Sequence, residues 1–352
     1  MDLVLYDTEH FETVYTWIRL LAAPERRLHL LVPDTLRGQL EAMGTSTSDA
    51  IEWHPLPGSN EAHPKAVEQL VRKLRAPLLI LGTVSFRHYG FARASRRLTG
   101  CKVVLGLHDI EDSFRPTRGS GLKALFRWWG KKRLAASVSA FAVLLPEMKN
   151  YLLQQEYTRK PIYVVPGRLF EESNYQLPPD GPLWIVVPGS IDPARRDYEA
   201  LRKLAEQLDK NGTTDIRILI VGAASYKAFS PSWFHSFPHL LEVRTGAFVP
   251  PGEYAGALAE ASLVWAPLPE KFEVAGKRDE YYGKSKSSGT FFDAISAGRP
   301  LLLPAHMTVP ESLRACTLTY AEDEELYYLL RALADNAGAC KSLQLLARNA
   351  AS

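Results

Sequence analysis

Apolar runs and helical stretches alternate from one end of this chain to the other, and the alternation breaks once. Strands are expected at 3–6, 28–32, 51–56, 77–84, 102–107, 140–145 and 162–165, with helices at 13–22, 36–43, 64–74 and 91–98 between them. The run 77–84 is apolar nearly throughout, as a strand covered on both faces must be. At 172–182 the pattern gives way to a linker by composition, with Asn174, Pro178, Pro179, Gly181 and Pro182. It then restarts, with strands at 183–187, 216–221, 241–244, 263–266 and 300–304 and helices at 197–208, 252–261, 323–334 and 339–349. Repeated βα units predict parallel sheets with helices on both faces. The expected class is α/β, with two doubly wound domains facing a cleft. The first covers 1–175 and the second 176–335, and a last helix in 336–352 packs back on the first domain. A chain of 352 residues is long enough for both.

The bulk numbers narrow the function classes. With 46% hydrophobic and 23% charged residues, the composition is that of a soluble globular protein. Net charge is +3 but uneven: residues 1–180 hold 24 Lys/Arg against 19 Asp/Glu, and 181–352 hold 18 against 20. A nearly balanced total with no recognition motif argues against nucleic acid as a partner. Cys101, Cys316 and Cys340 are too few and too scattered for a disulfide framework or a zinc site, and reduced thiols fit a cytoplasmic protein. No secretory leader opens the sequence, and no apolar run approaches the ~18 residues of a membrane span. Any membrane contact is therefore expected to be peripheral, at the inner face.

The stretch 282–304 carries the clearest chemistry. A basic, Ser/Gly-rich loop (Lys284, Ser285, Lys286, Ser287, Ser288, Gly289, Thr290) runs into a short apolar helix that Gly298, Arg299 and Pro300 end. Free N–H groups, hydroxyls and lysines at a helix N-terminus favour an anion. Asp293, about one turn inside, can accept hydrogen bonds from neutral hydroxyls. A phosphate site beside a carboxylate suits a nucleotide-sugar. The plainer reading makes Ser287–Ser288 an N-cap and Gly298 a helix stop.

Residues 183–310 resemble the nucleotide-sugar-binding domain of GT-B glycosyltransferases, closest to the large retaining, family 4-like group of bacterial surface-polysaccharide enzymes. The first half is similar mainly in architecture. The resemblance implies the GT-B fold, with two Rossmann-like domains. It also implies that the loop after the strand 183–187, with Gly189, Ser190 and Arg196, grips a diphosphate. Arg196 stands at the family's second basic position, while Ser190 replaces the first; serine offers only a neutral hydrogen bond. The family's paired glutamates fall on Ser285 and Asp293, with Ala294, Ala297, Gly298 and Pro300 trailing the second. Asp293 would bind the ribose, Ser287–Thr290 the pyrophosphate, and Phe248 and Val249 the base. Lys284 or Lys286 would supply the charge missing at Ser190.

In the first half, His108 and Asp109 follow the buried strand 102–107, at a sheet's C-terminal edge. The family often has a His–Asp pair here beside the reacting sugar, so both are candidate catalytic residues. Surface or structural roles are favoured for Glu9 and His10. The segment 115–133 has seven basic residues, and no acid occurs from Ser113 through Pro146. Leu122, Leu125, Phe126 and Trp129 share one helical face and Lys123, Arg127 and Lys131 another. With Trp128 and Trp129 at the boundary, this helix suits an anionic membrane surface or acceptor.

No Asp-x-Asp motif follows a strand, no Gly-x-Gly-x-x-Gly follows the first strand, and no P-loop or nucleophile elbow is present. The leading expectation is a metal-independent glycosyltransferase without cofactor. It would move a sugar from a UDP or GDP donor to a lipid-linked or surface-glycan acceptor, and retention is implied by resemblance alone. The departures at Ser190 and Ser285 keep open a non-catalytic scaffold that binds a nucleotide-sugar. A nucleotide-sugar epimerase or hydrolase on the same fold is the third alternative.

Overall fold

The computed structural model describes residues 1–45, 50–116, 121–224, 232–273 and 278–352. Arg118, one of the seven basic residues of 115–133, lies outside them. The chain divides into two compact units. One holds Met1–Gly167, Glu273–Glu280 and Lys284–Ser287, and the other Arg168–Phe272, Tyr281–Gly283 and Ser288–Ser352.

The first unit is a seven-stranded parallel sheet made of β1 (Asp2–Tyr6), β2 (Arg27–Leu31), β3 (Ile51–His54), β4 (Leu78–Leu81), β5 (Lys102–Leu107), β6 (Ala140–Val143) and β7 (Ile162–Val164). Its spatial order is β3-β2-β1-β4-β5-β6-β7. Among the described residues seven helices connect the strands: α1 (Phe11–Leu21), α2 (Asp34–Ala42), α3 (His63–Leu74), α4 (His88–Arg97), α5 (Ile110–Phe114), α6 (Leu122–Ser137) and α7 (Pro146–Gln154). Leu3, Leu5, Leu28, Leu30 and Ile80 point from the sheet onto Val14, Trp17 and Ile18 of α1 and Leu36 and Leu40 of α2. Each such side chain removed from water contributes about 1.5–3 kcal/mol.

The second unit repeats the plan with β8 (Leu183–Pro188), β9 (Ile216–Ala223), β10 (Leu241–Gly246), β11 (Leu263–Trp265), and then two two-residue strands, β12 (Lys271–Phe272) and β13 (Glu280–Tyr281), β13 falling where the chain passes between units. The main sheet is completed by β14 (Leu301–Pro304) and β15 (Thr317–Tyr320), in the order β10-β9-β8-β11-β14-β15. Its helices are α8 (Tyr198–Lys210), α9 (Pro251–Glu260), α10 (Gly289–Ala297), α11 (Asp323–Asp335) and α12 (Ala337–Ala351). On α8 the spacing of Leu201, Leu204, Ala205 and Leu208 makes one apolar stripe, which covers Ile185, Ile218 and Ile220. Asp197 caps that helix by accepting the N–H groups of Glu199 and Ala200 at 3.1 and 3.0 Å. The last helix lies within this unit, where Gln344 donates to the Ser262 carbonyl at 3.2 Å.

Both sheets reverse direction of growth once, between β1 and β4 and between β8 and β11. Ligands of open α/β sheets bind beside the C-terminal ends of the strands at such a reversal. The expected strand 77–84 is shorter than its apolar run. β4 stops at Leu81 because Gly82 and Thr83 turn towards the end of β1.

Candidate active site

In the first unit the switch point is crowded with polar side chains. Asp7, the first residue past β1, is fully buried. Its Oδ1 accepts the N–H groups of Glu9 and His10 at 2.8 and 3.1 Å, and its Oδ2 accepts the Thr83 hydroxyl at 3.0 Å. Burial pushes the carboxyl up, and His10 and these hydrogen bonds oppose that. Thr83 gives its one proton to Asp7, so the imidazoles beside it act as donors to its oxygen: His10 Nδ1 at 2.8 Å and His108 Nε2 at 3.3 Å. The two rings stack at 4.0 Å, 9° from parallel. Burial first, and His10 second, hold His108 well below the usual imidazole range, so it works as a neutral group. Glu9, His10, Thr83, His108 and Asp109 line a pocket of about 110 Å³, with Arg127 and Lys131 also on its wall.

Glycine lets these loops converge. A Cβ on Gly106 would lie 2.2 Å from the Gly82 carbonyl oxygen, and one on Gly82 would lie 2.2 Å from Asp7 Oδ2. Sequence reasoning singled out His108 and Asp109. It passed over Asp7 and Thr83, which hold His108 and His10 in place. The signal was an acid directly after the first strand and a hydroxyl at the end of the 77–84 run.

The segment 284–287 belongs to this unit, not to the unit that holds α10. The sequence groups Ser285 and Lys286 with a donor loop; here Lys286 forms an ion pair and a β-bridge with Asp109. Ser285 is fully buried, and its carbonyl accepts the Ile110 N–H at 3.1 Å. The reason is charge and backbone pairing: an acid at the mouth of β5 and the open N–H groups of α5 attract the segment. Lys284 stays exposed. Glu280, which the sequence reading did not notice, accepts the N–H groups of Glu111 and Asp112 at 3.2 and 2.8 Å. Burial, followed by the charge of Asp109, raises its carboxyl to about 8.

On α6 the two expected faces part company. Leu122, Leu125 and Phe126 are exposed, at 73%, 57% and 66%, and Lys123 and Arg127 are exposed beside them. Trp128 and Trp129 are half-buried; Trp129 stacks on Tyr89 at 4.8 Å, with the Arg133 guanidinium over its ring. Lys131, expected on the solvated basic face, is instead buried. Its Nζ donates to the carbonyl and Oδ2 of Asp112 at 2.8 and 2.5 Å, because α6 turns that side against α5.

The switch point of the second unit has another character. Gly189 leaves β8 with φ of +101°, a left-handed conformation that favours glycine, and a Cβ there would lie 2.6 Å from Arg196 Nη2. Arg196 is buried and donates from Nη2 to the Pro188 carbonyl at 2.7 Å and to Thr290 Oγ1 at 2.9 Å. It therefore ties the β8–α8 loop to the N-terminus of α10. Ser288 caps α10 by accepting the Thr290 N–H at 3.3 Å, Gly289 is exposed, and Gly298 ends the helix at φ of +60°. Ser190 is half-buried at the same turn.

Asp293 sits one turn into α10, 3% exposed. Tyr254 of α9 donates to its Oδ2 at 2.8 Å, and Arg168 Nε lies 3.3 Å from its Oδ1. The Arg168 guanidinium also stands 5.4 Å over the Tyr254 ring. The sequence named the aspartate but neither partner, and their distance along the chain left no local signal. Phe248 is exposed and Val249 half-buried on the β10–α9 loop.

Residues 12–168 match the family model of the glycosyl transferase 4-like domain. Curated protein sequences give no match. Among solved structures, the chain is similar to Anabaena HepE in complex with UDP and glucose, at 12% identity and a TM-score of 0.64, covering 100% of this chain and 95% of that one. It is also similar to the UDP-GlcNAc 2-epimerase of Neisseria meningitidis bound to UDP-GlcNAc, at 9% identity, TM-score 0.58 and coverage of 100% and 97%. A third, S. aureus MnaA with UDP, has 10% identity, TM-score 0.58 and coverage of 100% and 92%. At these identities the likeness is one of fold. Among the described residues no helix is long and apolar enough to cross a membrane.

Proposed function

We propose that this chain, whose residues 12–168 match the glycosyl transferase 4-like domain, is a family 4-like glycosyltransferase of GT-B fold that transfers a sugar, with retention and without a metal, from a nucleoside-diphosphate donor to a lipid-linked or surface-glycan acceptor. The observation that carries this is α10. Its N-terminus opens at an exposed glycine beside the Gly189 turn, and a carboxylate lies one turn inside. Backbone N–H groups and the helix dipole suit the diphosphate. Asp293, with Tyr254 and Arg168, suits the ribose hydroxyls. Arg196 acts from behind by fixing the two loops, its guanidinium lending positive charge. Neutral His108, held by Thr83 and His10, is the group proposed to meet the reacting sugar, with Asp109 next to it. HepE, crystallised with UDP and glucose, supports UDP as the first base to test.

Exposed Leu122, Leu125 and Phe126 among Lys123 and Arg127 support peripheral contact with an anionic membrane, where a lipid-linked acceptor resides. Flotation with phosphatidylglycerol vesicles tests this: Phe126→Ser is expected to lower the bound fraction, and equal binding ends the idea.

The donor site is tested by calorimetric titration with UDP- and GDP-sugars. Asp293→Ala is expected to weaken donor binding at least ~10-fold, the scale of losing one or two buried hydrogen bonds. Equal affinity would remove Asp293 from the site. A second reading, a nucleotide-sugar-binding scaffold, is favoured by one observation: Lys286 is already committed to Asp109. It prevails if a donor binds while neither transfer, hydrolysis nor epimerisation is detected with membrane extracts present.

A further inference from the structure

On the flank of the first sheet, two strands from its switch point, four polar residues of three strands meet on one face. The register pairs His29 of β2 with Glu52 of β3, and His54 follows Glu52 on the same face of the edge strand. His29 is 2% exposed. Its Nδ1 lies 2.9 Å from His54 Nε2, and the Glu52 carboxylate straddles both rings, with Oε2 3.6 Å from His29 Nδ1 and Oε1 3.6 Å from His54 Nε2. On the far side of the His29 ring, Nε2 lies 3.0 Å from Asp2 Oδ1.

We propose that His29 Nδ1, His54 Nε2 and Glu52 bind a divalent transition-metal ion of the zinc class, with water completing a tetrahedral set. The distances fit. Zinc holds such nitrogen and oxygen ligands at about 2.0–2.2 Å, so two ligand atoms of one tetrahedron stand roughly 3.3 Å apart. The two nitrogens stand 2.9 Å apart, each has a different Glu52 oxygen at 3.6 Å, and one ligand atom from each of the three residues lies within 4.8 Å of the other two, a spread that small side-chain adjustments close to that value. The donor set is two imidazoles and one carboxylate, which suits zinc better than the hard cations.

The protonation pattern fits as well. Asp2 takes the Nε2–H of His29, which leaves Nδ1 with a lone pair aimed at the gap. A carboxylate behind a ligating histidine is the usual device for fixing its tautomer. Without metal, the close Nδ1···Nε2 pair needs His54 to carry its proton on Nε2; ligation through Nε2 takes the other tautomer, with that proton on Nδ1. Access is open through Glu52, whose side chain is 46% exposed, and Arg27, 3.7 Å from it, is 59% exposed.

The role is structural: the ion pins β3, whose residues are only partly buried, to β2, and through Asp2 to β1. This is independent of the sugar-transfer reading.

The full-length protein, stripped with a chelator, is titrated with Zn²⁺ against a chromophoric competitor and melted with and without the ion. One equivalent is expected to bind and raise Tm. His54→Ala and Glu52→Gln, both at accessible side chains, are expected to keep the fold by circular dichroism and to weaken binding at least ~100-fold and ~10-fold. Asp2→Asn is expected to cost ~10–100-fold, as loss of a supporting carboxylate does. With Co²⁺ the spectrum is expected to show a tetrahedral site without thiolate absorption. No saturable one-equivalent binding, wild-type affinity in folded His54→Ala, or a thiolate band from the cysteines would each overturn the proposal.

Discussion

The two units share a strand order at their switch points and oppose each other in chemistry. In the first, the loops bring together Asp7, His10, Thr83 and His108, side chains that titrate or hydrogen-bond. In the second, the same place holds Gly189, the N–H groups of α10 and arginines set on backbone carbonyls and Asp293. A doubly wound sheet dictates where a ligand binds, and the loop residues dictate which ligand. Proton-handling groups gather in one unit and fixed positive dipoles in the other.

What the units do share is a glycine pair that lets one loop lie on the next, and breaking it should have the largest effect. A Cβ on Gly106 meets the Gly82 carbonyl at 2.2 Å, and one on Gly222 meets the Gly189 carbonyl at 1.9 Å. Gly106→Ala and Gly222→Ala are each expected to lose about 3 kcal/mol, the upper range for overpacking against backbone that cannot yield. Urea unfolding checks this. A loss below about 1 kcal/mol in either would show that its loops have room to separate.

A smaller effect, of about 1–3 kcal/mol, separates the units by pH. Among the described residues, the acids and imidazoles pushed clearly away from their usual range by burial, Asp7, His54, His88, His108 and Glu280, all belong to the first unit. Glu280 is raised to about 8, against about 4.3 unfolded. Between those values the native state keeps a proton that the unfolded chain has lost, so stability falls as pH rises through the window. His88 is lowered to about 4 by burial, then by Lys131 and Arg127, against about 6.5 unfolded. There the unfolded chain gains a proton that the native state refuses, so stability falls as pH drops from 6.5 towards 4. Glu280→Gln is expected to flatten the alkaline limb and His88→Gln the acid limb. Hydrogen exchange, corrected for its intrinsic pH dependence, should place both changes in the first unit; equal changes in the second would erase the contrast.

The smallest effect tests the dipole side. Ser288→Ala removes the one side-chain cap of α10 and should cost about 1 kcal/mol, read as a Tm shift of a few degrees. Donor affinity should fall with it if the helix N-terminus holds the phosphates.

The architecture was legible because hydrophobic periodicity is local. The strand Lys102–Leu107 reads directly from its residues, as does the α8 stripe behind the Asp197 cap. β15 was missed because an edge strand with two threonines and one buried residue makes no apolar run. In the candidate site, His108 stood out by following a buried strand, Asp293 by its place one turn into a helix, and Arg196 through the family resemblance alone. Their supports did not: Tyr254 is 39 residues from Asp293, and Arg196 is 94 from Thr290. Lys131 read as a surface charge because its neighbours on α6 are exposed; only the approach of α5 gives it Asp112. A sequence shows which groups are available, and tertiary contact decides which of them are already occupied.

Glu280 accepts the Asp112 N–H across 168 residues of chain, and both belong to the first unit. During vectorial synthesis, the sheet of that unit is complete once β7 has emerged. The acid that satisfies α5 arrives more than a hundred residues later. At 5–20 residues per second, that is a wait of roughly ten seconds. Through it, the N–H groups of Ile110, Glu111 and Asp112 lack the partners they hold in the finished protein. The catalytic candidate His108 adjoins this unfinished turn, so the first unit can fold early but acquires its final loop geometry only after most of the second has been made.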